Sequence, residues 1–123
     1  MKDFSNFQEK TLKEMQVELD DYIAQFKKGY FPPMSQMVRM SEEVGELSRE
    51  VMHVYGEKQK KENEPNGSIS EELGDVLVVV MLLANSLNID LTDTFEKNME
   101  KFYKRDTYRF ERVDEETSAF ENE

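Results

Sequence analysis

Apolar residues recur at steps of three and four over most of the chain, the spacing that lines one face of an α-helix. Leu12, Met15, Leu19, Tyr22 and Phe26 predict a first amphipathic helix, which Gly29 and the pair Pro32-Pro33 bring to an end. A second helix begins near Ser35 and carries Met40, Val44, Leu47, Val51 and Val54 as a narrow stripe. Gly56 and the polar stretch 57–67 follow, and Pro65-Asn66-Gly67 within it reads as a turn, so this stretch is expected to be a loop. Ser68 with Glu71 three residues later has the form of a capping box and opens a third helix, with Leu73, Leu77, Val80, Ala84 and Leu87 on one side. A fourth helix is expected over about residues 92–105, with Leu91 just ahead of it. Phe95, Met99 and Phe102 line one of its faces, and Lys97, Asn98, Lys101, Lys104 and Arg105 stand on the other.

Residues 76–84 break the amphipathic pattern, being apolar all round. Such a helix is a buried one. The valines in it also suit a strand, but no second strand-like segment exists to satisfy a strand's backbone. The pattern therefore predicts an all-α fold, a bundle of four helices with a central apolar helix. Residues 1–105 form its domain and 106–123 a polar tail that is expected to fray. Four short helices cover such a central helix only in part, so a second copy is the natural cover, and a homodimer or homotetramer is expected.

Composition narrows the function. The 123 residues suffice for one domain with a core. A net charge of -11, with 35% charged residues, speaks against binding a nucleic-acid backbone or an anionic membrane. The absence of cysteine removes thiolate nucleophiles and cysteine-zinc sites, and fits a reducing, cytoplasmic setting. No apolar run approaches the roughly 20 residues of a membrane span, and residues 1–6 lack the apolar core of a signal peptide.

Two acidic clusters stand out within the helices: Glu42-Glu43-Val44-Gly45-Glu46 and Glu71-Glu72-Leu73-Gly74-Asp75. Acids on a helix are most often a solvated face, and acids in a first turn, such as Glu71 and Glu72, often only complement the helix dipole. Here, however, Glu43 and Glu46 flank the apolar stripe, as do Glu72 and Asp75. Each cluster also carries a helix-interior glycine, which costs about 1 kcal/mol relative to alanine and lets another backbone or a ligand come close. So many carboxylates around one point repel unless a cation lies between them, and an all-oxygen set favours Mg2+ or Mn2+.

Glu42-Glu43-x-x-Glu46 followed by Glu72-x-x-Asp75 resembles the metal-binding signature of the MazG-like family of all-α nucleoside triphosphate pyrophosphohydrolases. The flanking words, 41–47 and 71–77, are similar to that family's two central helices, and the resemblance runs over about residues 7–105. It implies Mg2+-dependent hydrolysis of a nucleoside triphosphate to the monophosphate and pyrophosphate. It further implies that Glu43, Glu46, Glu72 and Asp75 hold metal and that Glu42 or Glu43 orients the attacking water. Asn98, Lys101 and Arg105 on the fourth helix would hold the nucleotide, although Lys101 and Lys104 also suit pairing with Glu96 and Glu100 along the helix. The base pocket is expected from the first helix and the turn after it, which offers Gln8, Phe26, Tyr30 and Phe31. House-cleaning of excess or non-standard nucleotides is the family theme.

Two other readings fit parts of the chain. Glu50-x-x-His53 is half the ligand set of a di-iron bundle, but only one histidine is present. A non-catalytic helical module that binds nucleotides or a partner would be marked by gaps in the metal set, and all five acids of the signature, Glu42, Glu43, Glu46, Glu72 and Asp75, are in place.

Overall fold

The computed structural model describes residues 8–56 and 68–114. The expected loop with its Pro65-Asn66-Gly67 turn lies outside the described residues, as do 1–7 and 115–123, the latter half of the expected tail. Four helices are present: α1 (Leu12–Ala24), α2 (Pro33–Tyr55), α3 (Ile69–Ser86) and α4 (Leu91–Asp106). No strand occurs among the described residues, and the valine-rich stretch 76–84 is helical throughout. The chain divides into two compact units, Met1–Ile89 and Asp90–Glu123.

In the first unit α1 begins with a capping box that the apolar spacing did not reveal. Thr11 Oγ1 accepts from Glu14 N, and the Glu14 carboxylate accepts from Thr11 N at 2.9 Å. The hydrogen bond from the Thr11 backbone N–H, with the Thr11 hydroxyl adding to it, holds the Glu14 pKa below its ordinary value. The helix ends at Ala24, two residues before Phe26, and Gly29 then takes φ +66, a left-handed conformation suited to glycine. α2 starts at Pro33, two residues earlier than Ser35, because a proline's fixed φ and missing N–H cost nothing at a first helical position. It stops where Gly56 N donates to Met52 O at 2.8 Å; a Cβ at Gly56 would lie 2.7 Å from that same oxygen. At the start of α3, Ser68 Oγ accepts from Glu71 N at 2.9 Å, the hydroxyl half of the expected box. Its far end is closed by Asn88, which adopts φ 58 in the turn.

α3 packs along α2 and also against α1, so it is the central element of this unit. Val79, Met81 and Ala84 form the buried apolar core, and all three lie on α3. Two buried glutamines fasten the neighbouring elements to it. Gln16 of α1 donates from Nε2 to Asn85 Oδ1 and to Ile89 O, both at 2.9 Å, while Asn85 Nδ2 donates back to Gln16 O. Gln36 of α2 donates to Phe31 O and to Ser86 Oγ. Hydrogen bonds of this kind offset the cost of burying the two amide NH2 groups.

The burial of α3 is one-sided. Leu73 and Leu77 are 53% and 50% exposed, so the expectation of a helix buried all round is not met within one chain. Val44, Val51 and Val54 of the α2 stripe are likewise exposed. The physical reason is the one that the hydrophobic pattern anticipated: short helices leave the far side of an all-apolar helix open.

In the second unit Asp90 caps α4 by accepting from Thr92 N at 2.9 Å. Lys97 pairs with Asp93 at 2.9 Å and Lys104 with Glu100 at 2.7 Å, each one turn apart.

Candidate metal centre

Glu43 and Glu46 are three residues apart on α2, and the first turn of α3 brings Glu72 to them. One carboxylate oxygen from each of the three lies within 4.8 Å of the other two. Among the described residues this tightest acidic group contains no histidine, so the Glu50-x-x-His53 pair is not part of it.

The group lacks compensating charge. Arg39 Nε stands 3.9 Å from Glu43 Oε1, a weak pairing by an arginine that is itself half exposed. The Glu43 side chain is only 16% exposed. Its Oε2 and the Oε2 of Glu72 are buried and find no hydrogen-bond donor. Burial pushes the Glu43 pKa up, and the charges of Glu46, Asp75 and Glu42 add to this while Arg39 opposes it. Burial likewise raises the Glu72 pKa, followed by the charges of Glu46, Asp75 and Glu43. Asp75, one turn along α3, is thus close enough to act on both glutamates, although it is exposed and outside the tightest group. Glu42 is exposed beside Glu43, and Glu71 is exposed with its backbone N–H spent on the Ser68 cap.

A cation fits this arrangement. Two buried oxygens without protein donors and two carboxyl groups driven toward the neutral form suit a positive charge placed among them. An all-carboxylate set suits a hard divalent ion, and Mg2+ takes such oxygens at about 2.0–2.1 Å.

The three α4 residues singled out from the sequence lie in the second unit, each with a local partner. Asn98 Nδ2 donates to Thr94 O at 3.2 Å, and the Lys101 ammonium lies 5.4 Å from the centre of the Phe102 ring. Arg105 makes two hydrogen bonds to the Asp106 carboxylate, at 2.8 and 2.9 Å.

Of the four residues expected around a base, Tyr30 and Phe31 line a cavity of about 240 Å3 in the first unit, while Gln8 lines a separate cleft along α1. Phe26 is half exposed and meets Tyr22 edge to face. The cavity wall also includes Gln36 and Arg39, which sequence reasoning missed. The signal was there: Gln36 sits four residues before Met40, where the apolar stripe of α2 would extend, and a polar residue at an inward position needs partners.

The model of the MazG nucleotide pyrophosphohydrolase domain matches residues 31–110, a span that takes in both acidic clusters. The chain belongs to the MazG nucleotide pyrophosphohydrolase family. Within the family it is similar to YpjD of Bacillus subtilis, at 52% identity over 107 residues, covering 87% of this chain and 96% of YpjD. The crystal structure of YpjD superposes with a TM-score of 0.70 at 53% identity, covering 78% of this chain and 98% of the other. The Bacillus-conserved MazG protein, described as a nucleotide pyrophosphohydrolase, gives a TM-score of 0.70 at 52% identity, covering 82% and 98%. This MazG chain is therefore an all-α hydrolase of nucleotides, and the non-catalytic reading falls away.

Proposed function

We propose that this MazG chain hydrolyses a nucleoside triphosphate to the monophosphate and pyrophosphate with Mg2+ as cofactor, Mn2+ being able to replace it. The observation that carries the reading is the acidic group itself: three carboxylates within 4.8 Å, with two buried oxygens that no protein donor reaches. Glu43, Glu46, Glu72 and Asp75 hold the metal. When bound, the ion supplies positive charge that offsets the triphosphate and polarises the attacked phosphorus.

The remaining chemistry belongs to the chain. Glu42 is exposed beside the group and accepts the proton of the attacking water, leaving Glu43 to the metal. The water oxygen bonds to phosphorus as the anhydride link between the α- and β-phosphates breaks, and pyrophosphate and monophosphate depart. Asn98, Lys101 and Arg105 steady the phosphates, with Arg105 exchanging its Asp106 partner for substrate.

Residues 1–105 make up the working domain in this reading. The exposed stripe of Val44, Val51, Val54, Leu73 and Leu77 supports a homodimer or homotetramer. No single helix among the described residues is long and apolar enough to cross a membrane. Together with the lack of cysteine this supports a cytoplasmic enzyme that clears excess or non-standard nucleotides.

The decisive experiment is a product assay over ribo-, deoxyribo- and modified triphosphates, with and without Mg2+, scoring pyrophosphate and orthophosphate separately. Metal-dependent release of pyrophosphate is expected, and it should be abolished in Glu43→Ala and Asp75→Ala while both variants remain folded. Orthophosphate in place of pyrophosphate would overturn the assigned bond. Collapse of either variant would make those acids structural.

A further inference from the structure

The cavity wall holds one amide whose chemistry is fixed by its surroundings. Gln36 is only 8% exposed and lines the cavity with Tyr30, Phe31 and Arg39. Its Nε2 donates to Phe31 O at 2.8 Å and to Ser86 Oγ at 3.0 Å. A backbone carbonyl can only accept, so the amide cannot be turned round against Phe31. Ser86 is committed as well, because its hydroxyl donates to Leu83 O at 2.9 Å and offers Gln36 only a lone pair. Both amide hydrogens are thereby used. Oε1 is left as a buried acceptor without a hydrogen-bond partner.

The position of this acceptor relative to the acidic group gives it meaning. Gln36 and Glu43 are seven residues apart on α2, which places them on one face roughly 10 Å apart along the axis. Arg39 lies between them in sequence, lining the cavity while its Nε stands 3.9 Å from Glu43 Oε1. Aromatic and aliphatic walls, a guanidinium and a carboxylate cluster thus follow one another along one helix face. That is the order of chemistries a nucleotide presents: a flat base, the first phosphate, then the outer phosphates.

We infer that the cavity takes the substrate's base and that Gln36 Oε1 selects bases bearing an exocyclic amino group, as in cytosine or adenine, over those with a carbonyl at that position. The phosphate end of this inference rests on the proposed pyrophosphohydrolase reaction. Oε1 is closed to solvent in the free chain, so an amino group, which projects beyond its ring, donates to it only as the cavity wall gives way to the bound base. A carbonyl there sets two dehydrated acceptors against each other, and a site built around a specific hydrogen bond rejects the analogue that lacks it far more strongly than apolar walls reject a change of size.

The test compares substrates that differ in this exchange and in the protonation of the ring nitrogen beside it: dCTP with dUTP, and dATP with dITP. The wild-type chain is expected to favour the amino member of at least one pair by about tenfold or more in kcat/KM. Gln36→Leu, with folding checked by circular dichroism, is expected to lose kcat/KM chiefly on the amino-bearing member and so bring the ratio to within about twofold, since its apolar side chain no longer offers the acceptor. Equal turnover within both pairs by the wild-type chain overturns the inference, and so does an undiminished preference in Gln36→Leu. Calorimetric binding of dCMP and dUMP to wild-type protein repeats the comparison without chemistry, with tighter dCMP binding expected and equal binding contrary. A chain that hydrolyses no triphosphate would therefore defeat the proposed reaction while the binding pair still decides the base preference. If Gln36→Leu fails to fold, the wild-type ratio and the binding pair decide it.

Discussion

Glu72 concentrates the electrostatic cost of the acidic group: it is pushed toward the neutral form by burial and by three neighbouring acids, and its Oε2 lacks a donor. A carboxyl whose folded pKa lies above its unfolded one favours the folded state while protonated. That contribution is lost as pH rises through the folded pKa. In metal-free protein, Glu72→Gln should therefore melt above wild type at neutral pH, and the gap should close as pH falls through the raised range toward ordinary carboxylate values. Saturating Mg2+ should reverse the order at neutral pH, because only the wild-type carboxylate gains a ligand. Thermal denaturation followed by circular dichroism across pH reads both, and a gap that does not change with pH would mean Glu72 is not repelled. At this scale the acids were legible because spacing of three and four residues is visible in any helix. The orphaned oxygens were not, since they depend on which donors α2 and α3 fail to bring. Gln36 was hidden for a related reason: a lone amide in a sequence does not disclose that Phe31 and Ser86 will consume both its hydrogens.

The helices themselves were readable to within a few residues. The errors fell at ends, where Pro33 opened α2 early and α1 stopped at Ala24, before Phe26. Capping is local chemistry that apolar periodicity does not carry. The glycines inside the helices are a different matter. A Cβ built at Gly45 or at Gly74 meets nothing within 4 Å among the described residues, so no close approach by them accounts for either. Gly45→Ala should stabilise α2 by up to about 1 kcal/mol in urea denaturation, because the added methyl costs no clash and lowers backbone freedom. If that stabilisation comes with a fall in turnover or in assembly, the space above Gly45 is used by substrate or by a second copy. If activity is also unchanged, the glycine has no functional reason.

For the whole molecule, the fold class was set by the absence of any strand-like partner for residues 76–84. The extent of burial was not legible, because apolar periodicity does not disclose that Leu73 and Leu77 stay half exposed in the single chain. Val54 near the end of α2 is 59% exposed and belongs to the uncovered stripe. Val54→Lys should leave the helical signal and thermal stability of the single chain nearly unchanged, while shifting a dimer or tetramer toward monomer in sedimentation velocity. An unaltered distribution would place the contact elsewhere. The net charge of -11 has its own consequence for such an assembly. Copies that meet through apolar stripes must do so against the mutual repulsion of two anions, and mobile ions weaken that repulsion without weakening the apolar contact. Association should then tighten as ionic strength rises, the reverse of an assembly held by complementary charge, with the oligomer at its most fragile in dilute buffer.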